Sequence, residues 1–171
     1  MAQIASMDFQ TEIKCPAEKF FNFFRTKAQL VPSTCPSVIK DVQLLKGDWE
    51  TEGSVNLWRL KLTPLYLKEE FCPILKPAVK IHNIGNNIET LKETVKAIDE
   101  QNKSISFKML DGELLDTMKN MKSNMQVSTK GDQSLVKWTI EYENANQELP
   151  ARYLDFLPGW TKAIEAYLLN A

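Results

Sequence analysis

The chain has 171 residues, of which 43% are hydrophobic and 25% charged, the composition of a single water-soluble domain with an ample core. Its 21 Lys and Arg nearly balance 22 Asp and Glu, for a formal charge of −1, which argues against the clustered basic excess of a nucleic-acid-binding surface. No window approaches 18 uninterrupted apolar residues, so no membrane span is expected.

Met7, Phe9, Thr11 and Ile13 alternate with Asp8, Gln10, Glu12 and Lys14, the period-2 pattern of a strand with one wet face. Pro16 stands where a helix begins, and Phe20, Phe21 and Phe24 form an apolar stripe along it. A second short helix is expected from Thr26 to Val31, ended by Pro32. Residues 38–45 and 54–62 read as strands joined by a loop bracketed by Gly47 and Gly53. Three further strands are expected at 88–98, 104–111 and 114–128, with turns at Asp99–Lys103 and at Asp111-Gly112. Met118 and Met121 are three apart while Met125 and Val127 are two apart, so a β-bulge near Lys119–Asn120 would bring all four to one face. Val136–Glu143 alternates strictly. Finally, Tyr153, Phe156, Leu157, Trp160, Ile164, Tyr167 and Leu168 recur at helical spacing, and Pro158-Gly159 in their midst predicts a kink or break.

Strand, two short helices, six hairpin-linked strands and one long helix describe an α+β fold with a curved antiparallel sheet. One helix laid across such a sheet does not fill the concavity, and an internal cavity follows. The opening Met1–Ser6 has neither the basic flank nor the apolar run of a signal peptide. Cys15, Cys35 and Cys72 are odd in number and scattered, so they read as reduced thiols in a cytoplasmic protein. His82 is the one histidine; His-rich metal sites are excluded, and no metal, nucleotide or covalent cofactor is implied.

Several segments together resemble the major latex protein branch of the birch-pollen-allergen superfamily: Glu18-Lys19-Phe20-Phe21, the stretch Gly47–Ser54, the stretch Gly131–Glu143, and Tyr153–Leu157. The resemblance implies a helix-grip fold, with a seven-stranded antiparallel sheet around a long C-terminal helix, two short helices and a large apolar cavity. It also implies a plant protein of defence or specialised metabolism that binds small hydrophobic metabolites, some relatives being cyclases or isomerases. Against the family pattern, about 20 extra residues lie at roughly 63–86, and Pro158-Gly159 interrupts the last helix. The insertion is rich in apolar residues and is expected to form a lid over the cavity, with a subunit contact as the alternative. The chain is read as one ligand-binding domain, monomeric or weakly dimeric.

The glycine-bracketed loop carries Asp48, Glu50 and Glu52, whose charges would repel a phosphate, so a structural hairpin is expected. The ligand-facing set is Leu57, Tyr66, Phe71, Met109, Met118, Met121, Trp138, Ile140, Tyr142, Tyr153, Phe156, Leu157 and Trp160. Methionines adapt to irregular ligands, and the Tyr142 hydroxyl could orient one. If the protein is an enzyme, His82 and Tyr142 are the catalytic candidates, with Tyr66, Glu69 and Glu113 as further acid–base groups. Catalysis would then take the form of cyclisation or isomerisation of a terpenoid or alkaloid intermediate held in one pose. The Lys and Glu residues of 89–108 are read as a solvated strand face.

Overall fold

In a computed structural model the described residues are 3–61, 88–116, 118–143 and 151–170. The expected insertion, with Tyr66, Glu69, Phe71 and His82, lies outside them, as does Cys72. Strand β1 spans Ile4–Ile13 and helix α1 Ala17–Thr26; a 3-10 turn at Ala28–Leu30 leads into the short α2, Val31–Thr34. There follow β2 (Ile39–Lys46), β3 (Val55–Leu60), β4 (Glu89–Asp99), β5 (Ser104–Gly112), a 3-10 turn at Glu113–Asp116, β6 (Lys119–Lys130), β7 (Gln133–Glu143) and α3 (Ala151–Leu169). All seven strands form one antiparallel sheet in the order β1-β7-β6-β5-β4-β3-β2. The strands from β2 to β7 pair with their neighbours in sequence, and β1 pairs with β7 along its whole length.

Three local expectations change. Pro32 does not end the second helix; it sits in the first turn of α2, where the missing N–H has no intrahelical partner to lose. The β5–β6 connection is wider than a two-residue hairpin, because Gly112 still belongs to β5 and the 3-10 turn follows it. Gly112 has φ +138°, and a Cβ there would stand 2.3 Å from the Thr90 carbonyl oxygen, so only glycine permits this approach to β4. Third, α3 continues through Pro158 without a break. Proline withdraws one backbone donor from the helix, but the buried Phe156, Leu157, Trp160, Ile164 and Leu168 hold the segment by tertiary packing.

The β6 bulge is present. Pairing with β7 shifts between Lys119 and Lys122, and Asn120 takes φ +48°. Met118, Met121, Met125 and Val127 are all buried as a result. One end of the core gathers Ile13, Phe20, Val31, Val136 and Ile164, each at most 1% exposed.

Helix α3 is fastened over this end by polar contacts as well. The Lys14 backbone N–H donates to Glu165 Oε1 at 2.8 Å, Lys162 Nζ donates to the Glu12 carbonyl at 2.7 Å, and Lys19 Nζ donates to the Leu168 carbonyl at 2.8 Å. These bonds tie the C-terminal half of the helix to β1 and α1 and leave its N-terminal half to span the sheet.

Candidate functional site

The nearest backbone neighbours of α3 are β1, α1 and α2. Over β3 to β6 the helix stands off from the sheet, and side chains bridge the gap incompletely. The cavity left there offers about 90 Å³ to the centres of water-sized molecules, several times the ~10–15 Å³ that one water requires. Its walls come from the inward positions of β3, β4, β5, β6 and β7, the end of α1, and residues 153–160 of α3.

The helix side is aromatic. Trp160 stacks on Trp138 (5.7 Å between ring centres, 25° between planes) and on Phe156 (5.2 Å, 26°), and meets the edges of Phe24 (5.2 Å) and Trp58 (6.0 Å). Such ring pairs contribute about 0.5–1.5 kcal/mol each beyond area burial. They also stiffen the wall. A buried relay fixes the helix to β7: Trp138 Nε1–H donates to Thr161 Oγ1 at 3.1 Å, and the Thr161 hydroxyl donates to the Leu157 carbonyl at 2.7 Å. Trp160 Nε1 is buried with no hydrogen-bond partner.

The sheet side carries a polar group in an otherwise apolar wall. Glu93 on β4 is 7% exposed, lines the cavity, and accepts a 2.8 Å hydrogen bond from Trp58 Nε1–H. Burial disfavours its charged form and pushes its pKa up to about 7, while the Trp58 bond works the other way. Directly across the β3–β4 pair stands Asn56, 4% exposed, whose Oδ1 is buried without a partner. Ser123 of β6 is the remaining buried polar side chain of this wall.

At the rim, Trp49, Glu50 and Thr51 come from the loop between β2 and β3. This loop is a braced hairpin. Asp48 Oδ1 accepts from the Glu50 backbone N–H (2.8 Å) and from Thr51 Oγ1 (2.9 Å), which holds its carboxyl below the usual range. The Gly53 N–H donates to the Val95 carbonyl at 2.8 Å, and the Ile98 N–H donates to Glu52 Oε1 at 2.8 Å. The N–H groups of Glu50 and Gly53 are thus engaged within the fold, as a structural hairpin requires and a phosphate cradle would not. Arg25, at the end of α1, lines the same rim and pairs with Glu100.

Of the residues expected to face a ligand, Met109, Met121, Trp138, Ile140, Tyr153, Phe156, Leu157 and Trp160 lie on the cavity wall. Met118 and Tyr142 are buried, at 1% and 4%, but neither is on the wall. The lining of β7 stops at Ile140, so Tyr142 packs beyond the cavity rather than presenting its hydroxyl to it. Leu57 is on the opposite face of β3: Asn56, Trp58 and Leu60 point inward and their half-buried neighbour does not. The Glu113 carboxylate accepts from the Thr90 backbone N–H at 2.7 Å and is exposed, away from the wall. Tyr66, Phe71 and His82 are outside the described residues.

The solvated-face reading of 89–108 is corrected by Glu93. Its parity gives it away: Leu91, Glu93 and Val95 occupy alternate positions of β4 and all three line the cavity. Asn56 shares the parity of Trp58 and Leu60 in the same manner. An ionisable or amide residue between two inward-facing apolar residues was the available signal.

With the site in place, comparison with known proteins is informative. Residues 2–65 and 78–171 match the model of the pathogenesis-related protein Bet v 1 family, and the match skips 66–77, inside the expected insertion. The chain is 31% identical to MLP-like protein 423 of Arabidopsis thaliana over 94% of its own length and 92% of that protein's. It is 29% identical to MLP-like protein 34 of Arabidopsis thaliana over 96% of its length, and spans only 46% of that relative. The crystal structure of major latex-like protein 151 from Panax ginseng superposes with a TM-score of 0.78 at 32% identity, covering 97% of this chain and 98% of that one. The helix-grip sheet, the cavity and these matches agree, and the chain belongs to the pathogenesis-related protein Bet v 1 family, among its major latex protein-like members.

Proposed function

We propose that the protein reversibly binds a small hydrophobic plant metabolite, of terpenoid, alkaloid or lipid-like character, in the cavity between α3 and the sheet. The observation that carries this reading is a cavity walled by Trp58, Met109, Met121, Ile140, Phe156 and Trp160. Membership of a family of hydrophobic-ligand binders supports it. Burying about 300–400 Å² of apolar ligand surface at about 25 cal/mol/Å² contributes several kcal/mol, enough for micromolar affinity after ordering costs. The binding needs no cofactor, and we place it in the cytosol, where the buried thiols of Cys15 and Cys35 stay reduced.

Titration with 1-propylnaphthalene, a neutral fluorescent hydrocarbon, tests this. Saturable binding that is lost in Met109→Trp, a variant that fills the cavity, supports the reading; binding unchanged in that variant overturns it.

A second reading, cyclisation or isomerisation of a reactive intermediate held in the cavity, is favoured by Glu93. A carboxyl on the wall that titrates near neutrality can give and take a proton at cellular pH. Incubation with reactive precursors decides it: a product distribution that differs from the protein-free control, and reverts in Glu93→Gln, supports catalysis.

A further inference from the structure

We propose that the cavity selects a hydrophobic guest carrying one basic nitrogen, which docks on the Glu93 carboxyl. The inference rests on the cavity being a ligand site and adds the chemistry of the ligand. Glu93 and Asn56 face each other across β3 and β4. Trp58 Nε1–H satisfies one carboxylate oxygen, and the Asn56 carbonyl is an orphan acceptor. Two acceptors thus stand side by side on this stretch of wall, the second Glu93 oxygen and the Asn56 carbonyl, while the unpartnered Trp160 Nε1–H belongs to the helix side. An ammonium supplies several N–H donors and no acceptor.

The charge balance favours the same class of guest. Arg25 is the one basic side chain among the described lining residues, and it is engaged with Glu100. The other titratable groups among the described lining residues are Glu50 of the rim and Tyr153 of α3, whose hydroxyl donates to Glu89. No described residue thus brings a free cation to the Glu93 carboxyl. An aliphatic amine is an ammonium at neutral pH and meets the Glu93 carboxylate as such; where Glu93 is still protonated, its proton leaves for solvent as the pair forms. The resulting carboxylate–ammonium pair has no net charge, so the apolar site takes up none. A carboxylic acid guest would instead set a second anion beside the first, and a hydrocarbon would leave the acceptors unpaired.

The test compares 2-(1-naphthyl)ethylamine with its hydrocarbon counterpart 1-propylnaphthalene by fluorescence titration of the full chain at pH 7.5. The amine should bind about 10- to 100-fold tighter, the range of one charge-assisted hydrogen bond. In Glu93→Gln the ratio of amine to hydrocarbon affinity should fall to about 3-fold or less. Hydrocarbon binding with no amine preference, or a preference that survives Glu93→Gln, overturns the inference and leaves the hydrophobic-binding reading standing. Failure of the unsubstituted chain to bind either probe overturns both. The comparison in the unsubstituted chain requires no variant to fold.

Discussion

The two halves of α3 do different work. The C-terminal half, with Ala163, Ile164 and Leu168, closes a solid core against β1 and α1, and its polar groups are paired through Glu165, Lys162 and Lys19. The N-terminal half, from Tyr153 to Trp160, faces a cavity and leaves Trp160 Nε1 without a partner. Opposite it stand a carboxyl and an amide in an apolar wall. One end of the molecule is built to be stable; the other carries polar groups that a solid core would not tolerate.

The comparison breaks most readily at the solid end. Ile164 has no exposed surface, so Ile164→Ala should cost about 4 kcal/mol, read as a fall in the urea midpoint with an unchanged slope. A loss under about 1 kcal/mol would mean that this end is not the stable one.

The next largest effect belongs to the hollow end and has the opposite sign. The folded-state pKa of Glu93, about 7, lies above the ordinary 4.5, so folding takes up a proton between these values. The neutral acid's contribution is fully present below about pH 4.5 and is lost as pH rises through 7. Glu93→Gln should therefore be about 3 kcal/mol more stable than the unsubstituted chain at pH 8 and equal to it near pH 4. Denaturation at the two pH values checks this; a difference independent of pH would contradict it.

Pro158 lies within the cavity-facing half and is a helix-interior proline. Pro158→Ala should raise stability by about 2 kcal/mol once the gain in unfolded-state freedom is subtracted, measured by thermal and urea unfolding. A destabilised variant would show that the proline is fitted to its site.

Smallest of the four, Trp58→Phe removes the donor to Glu93. It should cost about 1.5 kcal/mol above pH 7, where the acceptor is charged, and about 0.5 kcal/mol at pH 5. Equal losses at the two pH values would separate Trp58 from the titration of Glu93.

The sequence is legible where periodicity is clean. Strict alternation located β7, helical spacing located α3, and the three-then-two spacing of methionines anticipated the β6 bulge. Local rules failed where tertiary contacts prevailed. Pro158 does not break α3, because the helix is held by buried aromatic and aliphatic side chains on both sides of it. Pro32 fits the first turn of α2 rather than stopping a helix. The candidate wall followed from the apolar residues of β5, β6, β7 and α3, but Glu93 and Asn56 were passed over. Charge in 89–108 reads as solvent exposure and Asn56 carries no motif, yet their parity with Leu91, Val95, Trp58 and Leu60 assigns both inward. Tyr142 had the right parity and still misses the wall, since period 2 gives the face of a sheet and not how far along it the hollow extends.

The central claim is that the space beside Glu93 receives a guest. The most direct measurement is a crystal structure of the protein soaked with 1-bromonaphthalene, whose bromine locates itself by anomalous scattering. The account predicts a bromine peak within the cavity, between the Trp160 and Met109 side chains. A cavity closed by the protein's own side chains, with bromine only on the outer surface, would contradict it.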